Sequence, residues 1–231
     1  LLFLGAGALI HAVHSNNYTK MGGLRKYMPI THWTFLIGCL AIAGIWPFSG
    51  FFSKDEMLAA MFANHWFWGA WMTMVAGLTA FYMFRLYYLI FWWDENPDYA
   101  EHRPHDAPWQ MSVPLIFLAA VSCVAGFIPF GELVTWNGEP YHIHIGAVAA
   151  TSLTVAVLAI ALATVMYRKK NEWPARVKSM WPGLWTAAYH RFYWDEIYMF
   201  ITHKIIFGGI CRSIAWFDRH VIDGAMNGMA W

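Results

Sequence analysis

The chain is poor in charge. Lysine, arginine, aspartate and glutamate make up 13% of its 231 residues, about half the roughly 25% carried by soluble domains. That excludes an ordinary water-soluble globule. Neither sign dominates, since 15 basic and 14 acidic residues leave a net charge of +1. The basic residues fall at the ends of apolar runs and not on one face, so no nucleic-acid-binding surface is expected. Cysteine is scarce: Cys39, Cys123 and Cys211 are isolated, without the paired spacing of a disulfide framework or a zinc site. They read as small apolar fillers. There is no glycine-rich phosphate loop, no Ser/His/Asp arrangement and no cofactor fingerprint, so no cofactor is expected in this chain. No signal peptide is expected. Leu1 opens inside an apolar run and Trp231 closes an unfinished amphipathic stretch, so the sequence reads as part of a longer subunit.

What the chain has in abundance is apolar and aromatic surface. Hydrophobic residues make up 59%, with 15 Trp, 17 Phe and 11 Tyr, rings that gather at bilayer interfaces. The class is integral membrane. A membrane helix needs about 20 apolar residues to cross about 30 Å of hydrocarbon. Residues 1–13 are the tail of one such helix. Residues 31–62 form a second apolar zone, which as one straight helix would run to ~48 Å. Pro47, flanked by Gly44 and Gly50, should break or kink it. Residues 66–93, 112–130 and 143–167 read as three more spans, with Pro114 expected in a first turn that tolerates it.

Basic residues alternate from loop to loop. Lys20, Arg25 and Lys26 precede the second zone, Arg85 and Arg103 flank the end of the third, and Arg168, Lys169, Lys170, Arg176 and Lys178 follow the last. The connection at Asn64 and His65 and the loop 131–141 have none. The Lys20 loop, the Arg103 loop and everything after Arg168 are therefore expected on the cytoplasmic side. The expected fold is all-α: a polytopic transmembrane bundle over 1–170 with one discontinuous helix, a connector at 171–185 and a long amphipathic helix at 186–231. Residues 192–231 read as too charged to span. Met199, Ile206, Ile210, Ile214, Phe217 and Val221 make one face, with Lys204, Arg212, Asp218, Arg219 and Asp223 opposite. Such a helix lies along a membrane surface or along the edges of neighbouring bundles, with Gly208 and Gly209 as a bend.

The chemistry concentrates after the break, in Ser53-Lys54-Asp55-Glu56. Ionisable groups in a bilayer are costly and mark ion pathways, and an interrupted helix is tolerated at depth only where protein or water re-satisfies its backbone. A broken helix beside a Lys-Asp pair suits a proton or ion relay, because small changes in a buried lysine's partners load or unload a proton. The competing reading has Lys54, Asp55 and Glu56 capping the span at the outer interface, with Lys54 snorkelling. Both stand open on composition alone. His11 and His14, one turn apart, can pass protons or simply lie at the interface. The His102/His105 and His142/His144 pairs lack further ligands and read as loop histidines. Arg85 reads as an anchor at the cytoplasmic face.

Two further runs join these motifs. Lys20-Met21-Gly22-Gly23-Leu24-Arg25-Lys26-Tyr27-Met28-Pro29 precedes the broken zone, and Phe192-Tyr193-Trp194-Asp195-Glu196-Ile197-Tyr198 leads to Asp218-Arg219-His220-Val221-Ile222-Asp223-Gly224. In this order they resemble the subunit L family of bacterial NADH–quinone oxidoreductase, respiratory complex I. The resemblance implies an antiporter-like, proton-translocating subunit of the cytoplasmic (inner) membrane. Its lateral helix starts at Asp195 and Glu196, lies on the cytoplasmic side and braces neighbouring antiporter-like subunits. It implies that Lys54 lies on the discontinuous helix as the relay lysine, with Asp55 its partner toward the external side. FMN, iron–sulfur clusters and quinone are then expected elsewhere in the complex. Trp46 departs from the family pattern, where a smaller residue commonly precedes the proline, and is expected to alter packing at the break. A homologous subunit of a sodium/proton antiporter or membrane-bound hydrogenase is the near alternative. A purely structural stator is the distant one.

Overall fold

A computed structural model of the chain describes residues 1–100, 103–128 and 146–230. Among them every regular element is helical, in two compact units, Leu1–Asn171 and Glu172–Trp231. Among the described residues four helices are long and apolar enough to cross a membrane: Trp66–Phe91, Trp109–Phe127, Gly146–Tyr167 and Arg191–Met229. The protein is an all-α polytopic membrane bundle. The loop 131–141, His102, His142 and His144 lie outside the described residues.

The first unit contains α1 (Leu2–Val13), α2 (Pro29–Ala43), α3 (Ser49–Asn64), α4 (Trp66–Phe91), α5 (Trp109–Val124) and α6 (Gly146–Tyr167). Its register follows from a few contacts. A Cβ on Gly5 would meet Phe35 and one on Gly38 would meet Leu2, so α1 and α2 run antiparallel. On α4 and α6, Gly77 faces Val155, the Tyr88 hydroxyl lies 2.9 Å from Thr164 Oγ1, and Trp93 Nε1 donates to the Tyr167 carbonyl at 2.9 Å. These two helices are therefore parallel. Gly77 at this seam lets the backbones approach, as small residues do in membrane helix pairs. The core lies where α1, α2 and α4 meet the loop before α2, around Leu9, Leu24, Met28, Cys39 and Phe91.

The start of α2 is capped from a distance. Pro29 needs no donor at the first helical position. Asp106, 75 to 76 residues away, accepts from the Ile30 N–H at 2.7 Å, the Thr31 N–H at 3.2 Å and the Thr31 hydroxyl at 2.7 Å. A carboxylate here satisfies orphan donors and meets the positive end of the helix. At the same end of the bundle, Lys26 Nζ binds Glu95 at 2.6 Å, Tyr27 adds a second hydrogen bond to that carboxylate, and Lys170 pairs with Asp94 at 2.6 Å. The hydrogen bond from Lys26, reinforced by Tyr27, holds the Glu95 carboxyl below the usual range, and Glu95 raises the Lys26 ammonium. Both groups are exposed, so the pair fixes loop placement more than it adds stability.

The second apolar zone is indeed broken. α2 has 15 residues and α3 has 16, about 22 and 24 Å long, so neither alone spans about 30 Å. Between them Gly44 takes φ 78 and the Trp46–Pro47 peptide is cis. Gly44 N–H donates to Ala41 O and Ile45 N–H to Leu40 O, the paired closure that requires a left-handed residue after the helix. α3 then starts against the last turn of α2: a Cβ on Gly50 would lie 1.9 Å from the Ala41 carbonyl oxygen. Trp46 is exposed.

Elsewhere the sequence expectations shift. α5 begins at Trp109 and not near residue 112, so Pro114 lies in the helix interior and not in the first turn; it supplies no N–H for the Gln110 carbonyl one turn before it. The connector 171–185 is helical in large part, within α7 (Trp173–Met180) and α8 (Pro182–Tyr189). After left-handed residues Arg191, Phe192 and Tyr193, the second unit continues through α9 (Trp194–Phe200), a π-helical stretch Ile201–Cys211, α10 (Arg212–Phe217), a π-helical stretch Asp218–Ile222 and α11 (Asp223–Met229). Gly208 and Gly209, the expected bend, lie inside the first π stretch. The expectation that 192–231 is too charged to span is corrected. Between Glu196 and Asp218 only Lys204 and Arg212 carry full charge, and the helix qualifies by length and composition. Because π turns hold more residues than α turns, the apolar face counted at 3.6 per turn does not run straight through them.

Two substitutions check this account. Gly50→Ala drives a methyl into the Ala41 carbonyl and is expected to cost about 1–3 kcal/mol, seen as a lower melting temperature in detergent; Gly183→Ala, with open space around it, serves as the neutral control. Asp106→Ala removes three hydrogen bonds from the start of α2 and is expected to cost about 1–2 kcal/mol by the same measurement. An unchanged melting temperature would count against the cap.

Candidate functional site

Closing the end of α2 leaves one carbonyl for a side chain. Leu40 O and Ala41 O are taken by Ile45 and Gly44; Ile42 O accepts from Lys54 Nζ at 2.9 Å. Lys54 is on the second turn of α3, and its side chain leans back toward the start of its own helix, as helical side chains do. It thereby reaches the break, and a Cβ on Gly44 would lie 3.0 Å from its Cδ. A cation at the carboxyl end of a helix meets the negative end of the dipole and satisfies an orphan acceptor at once.

Lys54 is half-buried and lines a cavity of about 300 Å³ between α2, α3 and α4. Its other walls include Ala41, Ser53, Met57, Met72 and Thr79. At about 30 Å³ per water, the space holds several.

Asp55 points elsewhere. Successive helical residues differ by about 100°, and Asp55 faces α6, where Ser152 Oγ donates to Oδ1 at 2.5 Å. It is 2% exposed. Oδ2 is buried without a hydrogen-bond partner among the described residues, and stays available to accept a hydrogen bond or a proton. No ion pair within 4.0 Å joins Lys54 to Asp55 among the described residues. The sequence-adjacent pair is thus split between two helix seams.

The other candidates are dispersed. Glu56 is exposed. His11 and His14 are exposed at the end of α1, their rings 6.1 Å apart, with His14 left-handed at the cap. The antiparallel register puts them beside the start of α2, about 20 Å along that helix from Ile42. Pro47 lies in the break, and Gly50 lies in the first turn of α3 just after it. Asp195 and Glu196 lie in the first turn of α9, where Arg191 binds Asp195 and His190 lies 3.8 Å from Glu196. His105 Nδ1 lies 2.9 Å from the Asp106 carbonyl oxygen, and Arg85 lies over the Tyr167 ring at 5.3 Å.

Sequence reasoning missed a second buried polar group in the α2–α4 seam. His32, 4% exposed, places Nε2 2.7 Å from the Tyr87 hydroxyl, which also accepts from Trp92 Nε1 at 3.2 Å. The imidazole stacks on the Tyr87 ring at 5.6 Å and meets the Phe91 edge at 5.1 Å. It lies about 15 Å along α2 from Ile42. A polar ring on the stripe that continues through Phe35 and Cys39 was the available signal.

Residues 1–79 match the family described as NADH:quinone oxidoreductase/Mrp antiporter, TM. The chain is 36% identical over 276 residues to the NAD(P)H-quinone oxidoreductase chain 5 of a Picosynechococcus species, covering 98% of this chain and 40% of that protein. It is 34% identical over 255 residues to the chloroplastic NAD(P)H-quinone oxidoreductase subunit 5 of Nephroselmis olivacea, at 98% and 38% coverage. Identity to the Synechocystis chain 5 is 32% over 292 residues, at 98% and 42%. The chain spans about two fifths of the length of these curated relatives. Residues 1–79 are similar to the antiporter-type membrane family, and nearly the whole chain is similar to part of the NAD(P)H-quinone oxidoreductase chain 5 proteins.

Proposed function

We propose that this chain is the C-terminal part of a proton-translocating, antiporter-like subunit of an NAD(P)H–quinone oxidoreductase, the subunit L type of respiratory complex I, in which Lys54 carries the proton. The observation that supports this most is the ammonium of Lys54 on the Ile42 carbonyl at the break. The broken helix supplies an acceptor that favours the charged lysine, and the cavity beside it supplies a path by which the proton leaves. Asp55 and Ser152 form the next station, on the external side of α3. His11 and His14 lie apart from this site, toward the opposite mouth.

In this reading FMN, the iron–sulfur clusters and quinone belong to other subunits, and the membrane is the bacterial cytoplasmic membrane. The helix Arg191–Met229 acts as the lateral brace on neighbouring antiporter-like subunits, on the cytoplasmic side. From Trp194 to Met229 it reaches at most about 54 Å, well beyond what a crossing needs, which favours a course along the membrane. The similarity to quinone oxidoreductase chain 5 over 98% of the chain favours this complex over a sodium/proton antiporter or a hydrogenase.

Lys54→Met keeps the length of the side chain and removes the ionisable group. Proton uptake coupled to quinone reduction is expected to fall severely, with assembly near normal. Lys54→Arg is also expected to impair transfer, because a guanidinium stays charged and does not release its proton. Proton transport and quinone reductase activity are measured in membranes carrying each variant in the full-length subunit. Wild-type pumping by the arginine variant would sink the relay and leave Lys54 a snorkelling anchor.

A further inference from the structure

Three connections converge at the end of the bundle where α4 and α6 finish. Arg25 comes from the loop before α2, Trp92 and Trp93 follow α4, and Arg168 follows α6. The Arg25 guanidinium lies 4.2 Å from the centroid of the Trp92 ring and the Arg168 guanidinium 5.0 Å from it. The two like charges are thus held within about 9 Å of each other by one indole. A cavity of about 390 Å³ opens here, lined by Arg25, Lys26, Trp92, Trp93 and the carboxylates Asp94 and Glu95.

The carboxylates do not neutralise the arginines. Glu95 is bound by Lys26 and Asp94 by Lys170, each at 2.6 Å. Neither Arg25 nor Arg168 pairs with a carboxylate among the described residues, and both are exposed. A guanidinium lying over an indole uses its face and leaves its in-plane N–H edges free, and those edges match phosphate oxygens bidentately. With Lys26, Lys169 and Lys170 beside them, the site keeps an excess of positive charge. It also lies where spans of 26 and 22 residues end, the level at which tryptophan meets lipid headgroups.

We propose that Arg25, Trp92 and Arg168 form a binding site for the phosphodiester headgroup of an anionic phospholipid. The chemistry recognised is a phosphate monoanion; its source is a lipid, because the site opens at the membrane boundary of the bundle. Attraction of anionic lipid to basic groups at such a boundary falls with each cation removed.

The test uses the full-length subunit purified in neutral detergent and titrated with mixed micelles of phosphatidylglycerol, with phosphatidylcholine micelles and inorganic phosphate as separate arms. Binding is read by native mass spectrometry and by the shift in melting temperature. Phosphatidylglycerol is expected to bind and stabilise, phosphatidylcholine and inorganic phosphate much less. The double variant Arg25→Gln/Arg168→Gln is expected to weaken phosphatidylglycerol binding about ten- to thirty-fold, and Arg25→Lys/Arg168→Lys to restore part of it. Should the glutamine variant not fold, the lysine variant against wild type in high salt still reads the charge dependence. Equal retention of phosphatidylglycerol by wild type and the glutamine variant overturns the site. Equal binding of inorganic phosphate overturns the lipid source. Unchanged lipid binding with lost attachment of a neighbouring subunit shows a protein carboxylate to be the partner. None of these outcomes touches Lys54, so they are separable from failure of the relay.

Discussion

A helix that stops inside an apolar bundle leaves carbonyl oxygens that hydrocarbon cannot satisfy. At the end of α2 three of them, on Leu40, Ala41 and Ile42, are met by Ile45, Gly44 and Lys54. The first two depend on Gly44 taking φ 78, which a residue with a Cβ takes only at a cost. The third depends on α3 starting close enough to α2 for a lysine one turn later to reach back, and Gly50 against Ala41 makes that approach possible. Replace the break by a continuous helix and Ile42 O returns to its own ladder, leaving the ammonium without this acceptor. The cavity beside Lys54 belongs to the same geometry, since its walls are the end of α2, the start of α3 and the middle of α4.

The seam between α2 and α4 therefore carries two polar groups of different kinds. At one end an ammonium meets a backbone carbonyl; at the other, an imidazole, a phenol and an indole N–H meet one another. Between them the seam is apolar, with Phe35, Cys39, Ala80 and Phe84 buried, and the Thr34 hydroxyl turns back to carbonyls of its own helix at Ile30 and Thr31. Each polar group is satisfied locally, which is how buried polar groups persist at low cost. The start of α2 follows the same rule through Asp106.

Much of this was legible in the residues. Pro47 between two glycines announced the break, and the apolar run after His65 announced α4, found as Trp66–Phe91. What was not legible involves partners without a local signature. The acceptor of Lys54 is a backbone oxygen, which any residue at position 42 would offer. Ser152 lies 97 residues from Asp55, and the Asp106 cap lies as far beyond any window. His32 looks like a stripe member until Tyr87 is placed beside it. Charge counted over 192–231 as a whole hid the long apolar stretch around Lys204 and Arg212. No residue pattern marked the π turns that displace its face.

Lys54 and Asp55 are neighbours in the chain yet hold different helices, α2 through Ile42 and α6 through Ser152. A rod gripped on two sides by adjacent teeth has one easy motion, a turn about its own axis. Such a turn of α3 draws the ammonium off its carbonyl and slides the carboxylate along the serine in a single stroke. To a rigid turn of α3 the two contacts respond together, although a rotamer change at either side chain loosens one alone.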